Sequence, residues 1–203
     1  RSCRRLDRTE AVMRALTLLG IPGLVIGMGS ASAQTVTPDD AMRAAIHPVG
    51  DAKTMQAWLS RVPVTRDFPD DFTATLRGHG AAFVIEMTTA PGCVPCGDLW
   101  SKLTALGTRY GWQVRTIGAQ EAMIRSGRLG LPWVGHPVAW VRPIADDIRV
   151  VPVAIGTDHA PNLARNLYLA AKMLTGVRPA VGVRAMSKFT GIVGLPATRN
   201  GRH

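Results

Sequence analysis

Two cysteines separated by Val94-Pro95 stand at the junction between an apolar run and a segment of helical period. Ala81-Ala82-Phe83-Val84-Ile85-Glu86-Met87 reads as a buried strand, and Thr88 to Gly92 as a turn. Cys96 to Tyr110 reads as a helix, with Leu99, Leu103 and Leu106 at helical spacing and Trp100 beside them. This strand–turn–helix unit constrains the fold more than any other stretch. Cysteines three apart close a ring too small for a cross-link to remove much unfolded-chain entropy, so stapling the fold does not account for the pair. Chemistry at a helix start does.

The rest of the chain can be placed around that unit. Gln113-Val114-Arg115-Thr116-Ile117 predicts a second strand, and residues 119–126 a second helix ended near Gly127. Val138-Ala139-Trp140-Val141 predicts a third strand and Ile148 to Ile155 a fourth, turned at Asp146-Asp147 and hence antiparallel. Pro152 consigns the fourth strand to an edge. Pro161 to Leu174 predicts a closing helix. The order β-α-β-α-β-β-α implies an α/β domain over residues 81–175: a four-stranded mixed sheet flanked by helices. Its first three strands are expected to be parallel, joined by crossovers. Residues 34–80 form an N-terminal helical extension. One helix is expected to start near Pro38 and stop at Pro48-Val49-Gly50, a second to run from Ala52 to Arg61, and a loop to follow. Residues 176–203, rich in Gly, Pro, Arg and small side chains, read as a flexible basic tail.

Export is expected. Met13-Arg14 precedes a short apolar stretch broken by Gly and Pro, and Ala31-Ser32-Ala33 offers small residues to a signal peptidase. Residues 1–33 are thus a cleaved signal peptide with an upstream extension, and the location implied is the periplasm. An uncleaved anchor is the competing reading. Cys3 leaves with the signal, so Cys93 and Cys96 are the cysteines that remain. The formal net charge is +10. The leader accounts for five arginines against two acids. No dense basic block is interleaved with aromatics, so no nucleic-acid partner is expected.

A Cys-x-x-Cys at a helix start suits thiol–disulfide exchange. The first thiol, Cys93, would face unpaired backbone N–H groups and the positive end of the helix dipole, which favour its thiolate. Cys96, one turn on, would be shielded yet close enough to release a mixed disulfide. Pro95 fits the first turn, where a missing N–H needs no partner, and tunes that turn. Half of a zinc site is one alternative; no second Cys-x-x-Cys exists, and His47, His79, His136 and His159 show no ligand spacing, so no metal or cofactor is expected. A merely structural pair is the other.

Ala90-Pro91-Gly92-Cys93-Val94-Pro95-Cys96 resembles the active-site loop of the thioredoxin superfamily, and its Val-Pro dipeptide is similar to that of periplasmic thioredoxin-like reductants of the TlpA kind. Gly135-His136-Pro137 before Val138 matches the place where that family carries a cis-proline, with Pro132 as the competitor. Gly156-Thr157-Asp158 before the last helix is similar to the family's ending. The resemblance covers roughly residues 81–175. It implies that Cys93 is the nucleophile, Cys96 the resolving thiol and Pro137 the cis-proline. It also implies that the backbone of His136 pairs with a bound client. The activity implied is thiol–disulfide oxidoreductase or isomerase. Its partners would be exported protein clients bearing disulfides or thiols, with a membrane-bound electron donor behind it; oligomeric state stays open. The other reading is a redox-inactive or client-specific assembly factor of a secretion, conjugation or cytochrome-maturation system. Two positions depart from the family. Gly92 replaces the aromatic before the first cysteine, and Met87 replaces the buried acid that takes a proton from the resolving thiol. Glu86 is one residue away and so on the opposite face of a strand.

N-terminal sequencing of exported material is expected to begin at Gln34. An intact chain recovered from the membrane fraction and starting at Met13 would mean an anchor instead.

Overall fold

The strand before the cysteines is buried along its whole length, because it lies inside a sheet that is covered on both faces. The computed structural model describes residues 46–130, 134–179 and 188–195. Chain order is β1 (His47–Val49), α1 (Ala52–Leu59), α2 (Phe72–His79), β2 (Phe83–Thr88), α3 (Val94–Tyr110), β3 (Gln113–Ile117), α4 (Ala119–Arg128), β4 (Val138–Pro143), β5 (Val151–Ile155), α5 (Ala160–Thr175) and β6 (Ile192–Gly194). Four strands form a mixed sheet in the order β3-β2-β4-β5. β2 runs parallel to β3 and antiparallel to β4, and β4 is antiparallel to β5. β5, with Pro152, is an edge strand. β1 and β6 make a separate parallel pair.

Side-chain alternation divides the sheet's two faces. Phe83, Ile85 and Met87 of β2, with Ala139 and Val141 of β4, meet Leu76 of α2, Leu99 and Leu103 of α3, and Leu163 and Leu167 of α5 in the larger core. Val138 and Trp140 point the other way and join Ile117 and Ala122 beneath α4. Glu86 shares that second face and is fully buried. Its Oε1 accepts from Arg142 Nε at 2.6 Å and from Arg115 Nε at 3.0 Å, with Arg115 Nη2 also donating. Arg125 Nη2 lies 3.1 Å from Oε2. One carboxylate therefore ties β3, β4 and α4 to β2.

Several expectations are corrected. The third strand of the domain, β4, runs antiparallel to the first, β2, rather than parallel. The reason is that α4 and the loop after it return the chain to the end of the sheet where β2 and β3 finish, so β4 must run back. Val138 N donates to Thr88 Oγ1 at 2.9 Å there, joining the start of β4 to the end of β2. Residues 72–79, just after the loop expected at Pro63, Pro69 and Asp70-Asp71 and given no element of their own, form α2. Phe72 and Leu76 bury one face, and Asp71 before them accepts from Lys172 Nζ at 2.6 Å and Tyr168 OH at 2.8 Å. The Lys172 hydrogen bond holds the Asp71 carboxyl below the ordinary carboxylate range. Within the N-terminal extension, Ile46 is not helical and His47–Val49 is a strand; the rest of that first expected helix lies outside the described residues. The expected second helix is α1, begun by Asp51, whose side chain accepts from Thr54 N at 2.8 Å. Within the expected flexible tail, residues 192–194 are instead a strand paired with β1, in register from His47↔Ile192 to Val49↔Gly194. The expected signal peptide and its cut after Ala33 lie outside the described residues. Among the described residues no helix is long and apolar enough to cross a membrane.

Glu86→Ala would leave Arg142 buried without its counter-charge and Arg125 with only the half-exposed Glu121 as its partner. It is expected to lower the unfolding free energy by about 3–5 kcal/mol, whereas loss of half-exposed Arg115 costs about 1 kcal/mol or less. Urea unfolding followed by circular dichroism checks the order; equal losses for the two would mean that Glu86 is not the hub of the cluster.

Candidate functional site

The two cysteines are held by a turn and a helix start. Pro91 and Gly92 occupy the middle of a turn closed by Cys93 N donating to Ala90 O at 3.3 Å, and Gly92 has φ +69°. A side chain at that φ is strained, so the turn itself demands glycine where the family resemblance calls for an aromatic. Cys93 is the N-cap of α3 with extended backbone angles, φ −78° and ψ 98°. Its carbonyl accepts from Cys96 N at 3.1 Å and Gly97 N at 3.4 Å, which starts the helix. Pro95 sits in the first turn and is buried. Cys93 and Cys96 are joined in a disulfide with Cα atoms 5.3 Å apart.

The two sulfurs have different surroundings. Cys96 is 2% exposed and belongs to the main core, whereas Cys93 is only partly buried against it. Met87 lies beneath, where the residue alternation of β2 leaves no acid; Glu86 faces α4 with its three arginines. Ala90, Thr116 and the exposed Trp100 help line a shallow depression that opens onto the disulfide.

His136 and Pro137 come to the same place from the other side. The His136–Pro137 peptide is cis. The segment is pinned by Gly156 N donating to Pro137 O at 2.8 Å and by the Thr88 hydroxyl on Val138 N. The His136 carbonyl oxygen lies 3.7 Å from Cys93 Sγ. Burial pushes the His136 imidazole below its ordinary pKa. Burial thus disfavours a charged ring, and what His136 presents to the sulfur is a backbone carbonyl. Pro132, the competing proline, lies outside the described residues. Cys93, Cys96, Pro95, His136 and Pro137 are thus brought together as one site.

No family model matches this chain, and no curated protein or solved structure shows significant similarity to it.

The residue that sequence reasoning missed is Gly194. Its amide donates to the His136 carbonyl at 2.8 Å. A Cβ on it would stand 2.9 Å from Cys93 Sγ, closer than side-chain atoms approach. The only signal in the sequence is Gly191-Ile192-Val193-Gly194, a short β-branched pair bracketed by glycines. Among the described residues no three His, Cys, Asp or Glu side chains gather in a way that could hold a metal ion.

Once the disulfide is reduced, Cys93 is the sulfur that reagents can reach and the one at the helix N-terminus. With limiting iodoacetamide, Cys93 is expected to alkylate about tenfold or more faster than Cys96, read by peptide mass spectrometry. Glu86→Gln should leave that order unchanged, since its carboxylate lies across the sheet; a reversed order, or one that follows Glu86, overturns the assignment.

Proposed function

We propose that this protein exchanges thiols and disulfides with exported polypeptides through Cys93 and Cys96. The observation that carries the reading is the asymmetry of the pair: a partly exposed Cys93 at the start of α3, disulfide-bonded to a buried Cys96 one turn along. A purely structural cross-link has no use for that asymmetry, and one spanning three residues constrains little chain. The mixed sheet with helices on both faces is compatible with a thioredoxin-like layout, the finer fold reading that the loop sequence suggests.

In the reducing direction, the Cys93 thiolate attacks one sulfur of a client disulfide. A Cys93–client bond forms, and the other client sulfur leaves as a thiolate that takes up a proton. Cys96, having given up its proton, then attacks Cys93 sulfur. The Cys93–Cys96 bond forms, and the client leaves fully reduced. Two electrons pass from the protein dithiol to the client. In the oxidising direction the same bonds form and break in reverse order. The buried position of Cys96 suits a resolving thiol, which must meet only its neighbour. Met87 supplies no base, so the proton of Cys96 goes to water or to the departing client thiolate. Reduced Cys93–Cys96 would be regenerated by a membrane-bound donor. The expected export fits this reading, because exported proteins are where protein disulfides form and persist.

The test is insulin reduction in the presence of dithiothreitol, together with trapping in cells. The parent is expected to accelerate insulin precipitation, and Cys93→Ser to abolish the acceleration. Cys96→Ser should accumulate mixed disulfides with clients, whereas Cys93→Ser should not. Parent and Cys93→Ser behaving alike in both assays would refute the proposal.

A further inference from the structure

The described segment 188–195 does something that neither the cysteine chemistry nor the sheet requires: it lies across the face of Cys93. Its backbone is fixed at successive points. Gly191 N donates to Ile155 O at 2.9 Å, His47 N to Gly191 O at 2.7 Å, Thr157 N to Ile192 O at 3.1 Å and Gly194 N to His136 O at 2.8 Å. The Thr190 hydroxyl donates to Thr157 O at 2.5 Å. Ile192 is buried with Val49, Met55 and Leu59 in a small core of its own.

Two glycines make this approach possible. At Gly156 a Cβ would stand 2.3 Å from Ile192 N and 2.7 Å from Ile192 O, so only a bare backbone lets the segment pass. At Gly194 a Cβ would meet Cys93 Sγ at 2.9 Å. Contacts of that kind between backbone and backbone, and between backbone and sulfur, mark a seat shaped for an extended chain.

We infer that residues 190–195 occupy the place where a client polypeptide must lie, so that the chain is its own competitor for Cys93. This rests on the thiol-exchange reading and adds to it the class of partner and its control. His136 O is a backbone acceptor 3.7 Å from the Cys93 sulfur, and it already accepts from an amide of the same protein. A polypeptide that brings a disulfide to Cys93 from this side has to displace Gly194 and supply an N–H in its stead. Small disulfides are under no such constraint, because the depression by Trp100 reaches the sulfur from the other side. The partner that fits is an extended strand able to take over a backbone hydrogen bond, with no bulk on the residue facing the sulfur. The apparent affinity for such a strand is reduced by the fraction of time that the seat is free.

Two measurements on the full chain test this. In a Cys96→Ser background, Gly194→Cys and Lys188→Cys are compared under mild oxidation by glutathione disulfide. Gly194→Cys is expected to cross-link to Cys93 in most molecules within the monomer, and Lys188→Cys in few. Equal cross-linking of the two, or none from Gly194→Cys, overturns the proposal; this readout needs no enzymatic activity and stands even if the thiol-exchange reading fails. The second arm uses Ile192→Asp in the same background to loosen the segment. Mixed-disulfide formation with an unfolded polypeptide disulfide should rise about tenfold, and that with glutathione disulfide should change less than about twofold. Unchanged rates with the polypeptide, or equal acceleration of both, overturn it. If Ile192→Asp does not fold, the cross-linking comparison decides alone. Failure of Cys93 to react with either disulfide counts against the thiol-exchange reading, and the cross-linking result then still decides where the segment sits.

Discussion

A carboxylate with no exposure at all needs its charge answered from within, and Glu86 finds that answer in three arginines carried by three different elements. Arg115 comes from β3, Arg142 from β4 and Arg125 from α4, so the position of each is tied to the middle of β2. The arginines are committed elsewhere too: Arg142 Nη1 donates to Pro143 O at 2.8 Å, and Arg125 Nη1 to Asp147 O at 3.0 Å. A buried cluster of this kind is weak evidence for net stability, because desolvation offsets much of the attraction. What it does is exclude alternatives. A one-residue slip of β2 against β3 or β4 would drive Glu86 into the leucines of the main core and Met87 among the arginines.

That fixed register is what places the site. With Met87 held toward the main core, the chain leaves β2 at Thr88, turns through Pro91-Gly92 and enters α3 with Cys96 buried and Cys93 at the rim. The antiparallel direction of β4 has its consequence here. Because β4 starts where β2 ends, its preceding residues, His136 and Pro137, arrive beside the cysteines. Had β4 been parallel, they would sit at the far end of the sheet. Thr88 joins the two events, ending β2 and holding Val138 N by its hydroxyl.

How much of this was legible follows from the range of the interactions involved. The main helices and strands were readable because α3 and α5 repeat leucine at helical spacing over many turns, and β2 is an unbroken apolar run apart from Glu86. Cys93, Cys96 and Pro95 were readable as a site because their chemistry depends on neighbours within one turn. Pro137 was readable only through the family resemblance. Helix α2 was missed because its apolar face is little more than Phe72 and Leu76, set among prolines and aspartates that speak for a loop; what makes it a helix is burial against α5. The direction of β4 was misread because a crossover rule was applied to a connection that returns to its starting end. β1 and β6 are three residues each, too short for any period, and each exists only because the other is there. Gly194 falls in this last class, so a residue packed against Cys93 was invisible to local pattern.

The contact of Gly194 with His136 bears on the electrostatics of the sulfur as well as on its access. Cys93 Sγ stands between two backbone poles. The N-terminus of α3 presents the positive end of the helix dipole, which favours a negative charge there. The His136 carbonyl, 3.7 Å away, presents the opposite sign. A carbonyl with no other donor would draw the proton of a Cys93 thiol toward itself and oppose the thiolate. With Gly194 N already donating to it at 2.8 Å, that oxygen has less to offer the sulfur, and the balance tips toward the helix N-terminus. The His136 ring does little against this, since burial disfavours its charged form. A strand that merely pushed Gly194 aside would expose the carbonyl to the sulfur and penalise the thiolate at the moment it must leave or attack. A strand that replaced the Gly194 amide with its own would restore the balance. If Cys93 exchanges thiols as proposed, the backbone hydrogen bond at His136 would select for partners in extended form on two grounds at once, the space beside Cys93 and the charge that Cys93 would carry.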